Sequence, residues 1–217
     1  MKQILEMLAG YNQWANRRLY AATAALPDAD YRADHGAFFG SVHGTLNHLL
    51  AGDRIWMHRL TGEGEVPARL DAIIHDDFAG LRAAREAEDE RIVAYVAGLP
   101  DGDLAGTLRY RTISNPADIE QELLPVLINF FNHQTHHRGQ AHCLLTRITN
   151  HAPSLDLLMY QRESGISMEG GPVGIPPGRQ QRGLAPSRAR TKARGNKNRA
   201  CGSWDRPPDG AQRIAGA

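Results

Sequence analysis

The run Asn132-His133-Gln134-Thr135-His136-His137-Arg138-Gly139-Gln140 places three of the chain's ten histidines within five positions. It sits in an apolar-periodic segment that predicts a helix over residues 117–148. At ~100° per residue, side chains four apart stack on one face of a helix. Taking His133 as the origin, Leu123, Val126, Leu127, Phe130, Ala141, Leu144, Leu145 and Ile148 fall in a sector between ~20° and ~120°. His137 lies inside that stripe at ~40° and His133 at its edge, while His136 lies off it at ~−60°. His133 and His137 are thus expected to face the interior, and His136 to face outward or a neighbouring subunit. A lone histidine is commonly a hydrogen-bonded structural residue. Two buried imidazoles at i, i+4 without partners would be costly, and the same spacing serves divalent-ion sites on helices.

The remaining chain reads outward from this helix. Residues 3–25 carry Ile4, Leu8, Tyr11, Ala15, Leu19 and Ala22 at helical spacing, and Pro27 ends that segment. Residues 37–60 predict a second helix, with Phe38, Val42, Leu46, Leu49, Trp56 and Leu60 along one side. His48 lies at the border of that stripe, whereas His43, ~140° away, is not expected to share its site. Gly52 costs ~1 kcal/mol against alanine inside a helix, so it implies a close neighbour. Asp53 falls in the apolar sector and needs a partner there, for which Arg138 or a metal-bound histidine is a candidate. Residues 76–99 predict a third helix, whose Glu and Arg residues read as a solvated face. Residues 107–113 alternate like a short extended stretch. Asn115-Pro116-Ala117-Asp118 has the composition of a helix start, and Pro153-Ser154 opens a last short helix.

Charge divides the chain. Residues 1–166 hold 15 Lys+Arg and 21 Asp+Glu, and residues 167–217 hold 10 and 3, so nets of −6 and +7 hide behind the total of +1. The second part is rich in Gly, Pro and Arg and poor in large aliphatics, and it predicts a disordered basic tail. Weak, sequence-independent contact with nucleic acid is the specific role its charge suggests; a solvated extension is the plainer one. The only cysteines are Cys143 and Cys201, one in each part, from which no disulfide framework follows and a reducing cytoplasm is the natural expectation. No apolar run reaches the ~18 residues that span a membrane, and Met1–Tyr11 lacks a signal-peptide pattern.

The expected architecture is therefore all-α: a four-helix bundle over residues 1–166, followed by the tail. His48 from the second helix joins His133 and His137 from the fourth as three nitrogen ligands. Three protein ligands leave a position for water or a thiolate, the pattern of catalytic rather than structural sites. No HExxH helix is present, which weakens a metalloprotease reading.

Three motifs carry a resemblance: Tyr11-Asn12-Gln13-Trp14-Ala15-Asn16; Leu46-Asn47-His48-Leu49-Leu50 through Asp53 and Trp56; and Asn132-His133 through His137-Arg138-Gly139-Gln140. Over roughly residues 1–163 the chain resembles the DinB family, within the DinB/YfiT-like metalloenzymes. The resemblance implies an up-down-down-up four-helix bundle and a zinc or nickel site on His48, His133 and His137. It further implies homodimers and a small-molecule substrate, with Asp53 and Arg138 as candidates around the ligands. Some relatives are thiol-dependent transferases that join a low-molecular-weight thiol to an electrophile, and others are isomerases using such a thiol. The alternatives are a metal-dependent hydrolase and a non-catalytic, stress- or DNA-damage-responsive metal-binding protein. The resemblance does not reach the tail.

Overall fold

A computed structural model of the chain describes residues 1–113 and 115–167. The expected tail, 167–217, lies outside the described residues except for Ser167. The described chain is mostly helical. Four long helices, α1 (Lys2–Thr23), α3 (Val42–Thr61), α4 (Phe78–Gly98) and α5 (Leu123–Thr149), alternate with shorter pieces: α2 (Asp28–Arg32), a 3₁₀ turn (Asp101–Ala105), strands β1 (Thr107–Arg111) and β2 (Asp118–Glu122), and α6 (Leu157–Glu163). Helix α1 packs on α4 and α5, and α3 packs on the same two. The four long helices therefore enclose one interior.

Capping chemistry sets the boundaries. Ser41 Oγ accepts the Gly44 N–H at 3.0 Å at the start of α3, and Asp77 accepts the Gly80 N–H at the start of α4. Gly62 (φ +75°) closes α3 in the left-handed conformation that glycine takes without strain. Phe38, expected within the second helix, consequently lies before it.

The start expected at Asn115-Pro116-Ala117-Asp118 is corrected. Residues 118–122 pair antiparallel with 107–111, with Arg111 opposite Asp118 and Arg109 opposite Glu120. Both cross-strand pairs form ion contacts, at 2.8 and 3.0 Å. The alternating Asp118-Ile119-Glu120 pattern matches the alternation of β1, and this pairing outcompetes the local helix signal. Helix α5 begins instead at Leu123, with Pro125 in its first turn where no N–H is required. The all-α expectation is thus amended by one small hairpin.

The interior is layered. One apolar cluster gathers Leu5, Ala9, Trp56, Ile92, Val96 and Phe130, among others; a second gathers Leu19, Leu46, Leu50, Leu81, Ala141 and Leu145. Between them each long helix contributes buried polar side chains: Asn12 and Asn16 from α1, Asp53 from α3, Arg85 and Asp89 from α4, and Gln134 and Arg138 from α5. Burying this layer without hydrogen bonds would be prohibitive, and each of these side chains makes at least one, although Arg85 Nε and Gln134 Oε1 have no partner. Arg85 Nη1 donates to Asp53 Oδ2 at 2.6 Å and its Nη2 lies 2.9 Å from Asp89 Oδ1. Asn16 donates to Asp89 at 2.9 Å, and Arg138 donates to the side-chain oxygens of Asn12 and Asn16 at 2.5 and 3.2 Å.

Two expectations change here. Asp53 is fully buried and its cationic partner is Arg85, not Arg138. The charges of α4 are not all on a solvated face, because Arg85, Glu88 and Asp89 are buried.

Candidate metal centre

His48, His133 and His137 converge beside this polar layer. Helix α3 supplies the first and one turn of α5 the other two, as the i, i+4 spacing requires. Their ring centroids lie 5.3 Å (His48–His133), 4.4 Å (His48–His137) and 4.4 Å (His133–His137) apart. One nitrogen of each can be chosen so that all three lie within 4.8 Å of one another, and no other cluster of potential ligands of this kind occurs among the described residues. His136 is exposed, as its helical phase predicts. His43 is turned away, its Nε2 3.2 Å from the His75 carbonyl.

Each ring is held differently. His48 Nδ1 is 2.7 Å from the Leu70 carbonyl oxygen and must carry the proton to bond it, which leaves Nε2 as a lone-pair donor. Phe39 stacks on the His48 ring at 3.8 Å and meets His137 edge-on at 5.5 Å. His137 Nδ1 bonds Gln140 Oε1 at 2.8 Å, and Gln140 Nε2 reaches on to His136 Nε2 at 3.2 Å. His133 is held by shape: a Cβ built on Gly52 would stand 3.0 Å from its Cε1. The close neighbour implied by Gly52 is a ligand candidate itself.

Burial governs the electrostatics. It lowers His48 to about 4, against the pull of the Leu70 carbonyl, and lowers His133 to about 3, with its neighbouring histidines adding to the effect. His137 is lowered for the same reason. All three imidazoles are neutral at physiological pH, the state that binds a metal. Burial pushes the Asp53 carboxyl up to about 7, with Arg85 pulling it back.

The residues fit a divalent ion on a test independent of resemblance. His48 Nε2 and both ring nitrogens of His133 are buried with no hydrogen-bond partner. Such orphaned nitrogens are costly unless something binds them, and imidazole suits zinc and nickel. The outer partners Leu70, Gln140 and Phe39, and the Asp53 partner Arg85, escaped sequence reading. Two of them leave a trace in the sequence: Gln140 closes the motif that begins at Asn132, and Arg85 shares a helical face with Leu81, Ile92 and Val96.

A sequence model of the DinB family matches residues 1–170. No curated protein and no solved structure matches the chain significantly. Among the described residues, no helix is long and apolar enough to cross a membrane. The family match extends over most of the chain and contains all three histidines, so the chain belongs to the DinB family.

Proposed function

We propose that this protein is a zinc- or nickel-dependent transferase that joins a low-molecular-weight thiol to a small electrophile. The carrying observation is the trio of buried, neutral imidazoles within reach of one another, with orphaned nitrogens on His48 and His133. A divalent ion on three neutral ligands keeps its full charge, and so favours ionisation of a thiol bound at the remaining position.

The chain's own residues supply orientation and shielding. Leu70 and Gln140 fix which nitrogens of His48 and His137 face inward. Phe39 covers the His48 ring. The two apolar clusters on either side keep water from the interior. Arg138 and Asp53 act at one remove, by locking α5 to α1 and α3.

In the same proposal the four long helices form the family's up-down-down-up bundle over residues 1–166, the protein is a cytoplasmic homodimer, and the basic tail has at most weak contact with nucleic acid. The test is metal analysis of the purified protein followed by incubation with a panel of thiols and a model electrophile. Metal-dependent thioether formation is expected. Ester or amide hydrolysis without thiol would favour the hydrolase instead, and metal binding with neither activity would favour a non-catalytic role.

A further inference from the structure

We propose that Asn47 is a positioning residue for the metal centre: it fastens the segment between α3 and α4 so that the Leu70 carbonyl holds His48 in a single tautomer. The inference rests on the reading of His48 as a ligand. It concerns how that ligand is aimed.

Residues 62–77 form neither helix nor strand, so no backbone ladder holds them. Beyond the Gly62 N–H bond to the His58 carbonyl that closes α3, their attachment to that helix is made by side chains. Asn47 is fully buried and uses both ends of its amide. Its Oδ1 accepts from the Ile74 N–H at 2.8 Å and the His75 N–H at 3.0 Å. Its Nδ2 donates to the carbonyls of His43 at 3.1 Å and His75 at 3.2 Å. Two amide donors on one side and two carbonyl acceptors on the other fix the orientation of the side chain without ambiguity. His43, one turn earlier, adds a second bond to the His75 carbonyl.

The fastened segment delivers one group to the centre. Leu70 is buried, and its carbonyl oxygen lies 2.7 Å from His48 Nδ1. A neutral imidazole carries one proton. With that proton committed to Leu70, His48 Nε2 is left bare, and it is this buried nitrogen that has no partner. Without the carbonyl, the ring is free to carry its proton on Nε2, where it cannot bind a metal, and to turn about its own bonds. Loss of such an outer partner typically weakens metal binding ~10–100-fold. Asn47 and His48 are adjacent, so one turn of α3 supplies both the ligand and the residue that aims it.

Substitution separates the two ends of the amide. Asn47→Ala leaves the Ile74 and His75 N–H groups without their acceptor and the His75 carbonyl with only its bond from His43. Asn47→Asp retains an acceptor, loses both donors and buries a charge, so it does not rescue. His43→Ala removes only the second anchor and should be milder.

The experiment follows three readouts in the full-length protein: zinc affinity, the His48 Nδ1–H resonance in metal-free protein, and amide exchange at Ile74 and His75. Asn47→Ala and Asn47→Asp should each weaken zinc binding ~10–100-fold, lose the slowly exchanging His48 Nδ1–H signal, and keep the helical circular dichroism. Unchanged zinc affinity and an unchanged His48 signal in Asn47→Ala would overturn the proposal. Should Asn47→Ala fail to fold, the parent decides: because coupling is reciprocal, zinc must slow exchange at Ile74 and His75, and no slowing would refute it. If the parent binds no metal at all, the functional reading fails by itself. The His48 tautomer in metal-free Asn47→Ala then decides the inference.

Discussion

Gly52 and His133 occupy one another's space: the imidazole of α5 fills the volume that a side chain on α3 would take, with Cε1 3.0 Å and Nδ1 3.6 Å from a Cβ built at position 52. A glycine inside a helix costs ~1 kcal/mol against alanine, and here the cost coincides with room for a ligand.

Gly52→Ala should therefore separate stability from binding. The ring must give way by a few tenths of an ångström, while the helix gains intrinsic stability. We expect a metal-free melting temperature equal to or above that of the parent, together with zinc affinity weakened about tenfold, as for other displaced ligand shells. Thermal melts without metal and a zinc titration check both. An alanine variant that binds zinc as tightly as the parent would show that the contact does not aim the ring.

The buried ion layer makes a second prediction. Arg85 bridges two buried acids, Asp53 and Asp89, and is itself buried. Arg85→Met leaves both carboxylates without their cation, and removing one partner of a buried pair typically costs ~3–5 kcal/mol. Asp53→Asn still leaves Arg85 beside Asp89 and should cost clearly less. Urea denaturation of the two variants gives the order. Equal losses would mean that Arg85 does not serve both acids.

The third concerns pH. Folded His133 titrates at about 3, below the ordinary 6.5, because it is buried. The unfolded chain takes up that proton below about pH 6.5 and the folded chain does not, so the stability from this residue is complete above about pH 6.5 and is lost as pH falls toward 3. Asp53, raised to about 7, acts oppositely, since its folded form takes up a proton first as pH falls. Comparing metal-free parent with His133→Gln cancels Asp53, which both contain. Between about pH 7 and about pH 5 the parent should lose more stability than the variant. Parallel losses in denaturant titrations would contradict the buried, neutral state of His133.

The sequence discloses the ligand candidates because helical phase is local: the spacing of His133, His136 and His137 on one helix separates the inward rings from the outward one. It also discloses the four long helices, through their apolar stripes. It discloses far less about what surrounds the ligands. Leu70 acts through a backbone carbonyl, which leaves no mark on residue type. Phe39 lies inside the 37–60 segment that reads as a helix but off its apolar stripe, and in the structure it precedes α3, so helical periodicity does not mark it. Arg85 and Asp89 were hidden by a rule of thumb, since charged residues are usually solvated, although both occupy the buried face of α4 with Leu81 and Ile92. Of the hairpin, the alternation over residues 107–113 discloses β1, whereas β2 stays hidden because Asn-Pro-Ala-Asp suits a turn as well as a helix start, and only pairing with residues 107–111 decides between them.

Adjacent histidines provide the most direct test of the central claim, that His48, His133 and His137 form a metal centre. His137 is buried with its Nδ1 on Gln140, whereas its neighbour His136 is exposed. Purified His136→Ala and His137→Ala should be titrated with zinc beside the parent, with bound metal measured by mass spectrometry. The account predicts that the parent and His136→Ala bind one equivalent per chain and that His137→Ala loses it. An empty His136→Ala with a filled His137→Ala, or a parent that binds no divalent metal, would contradict it.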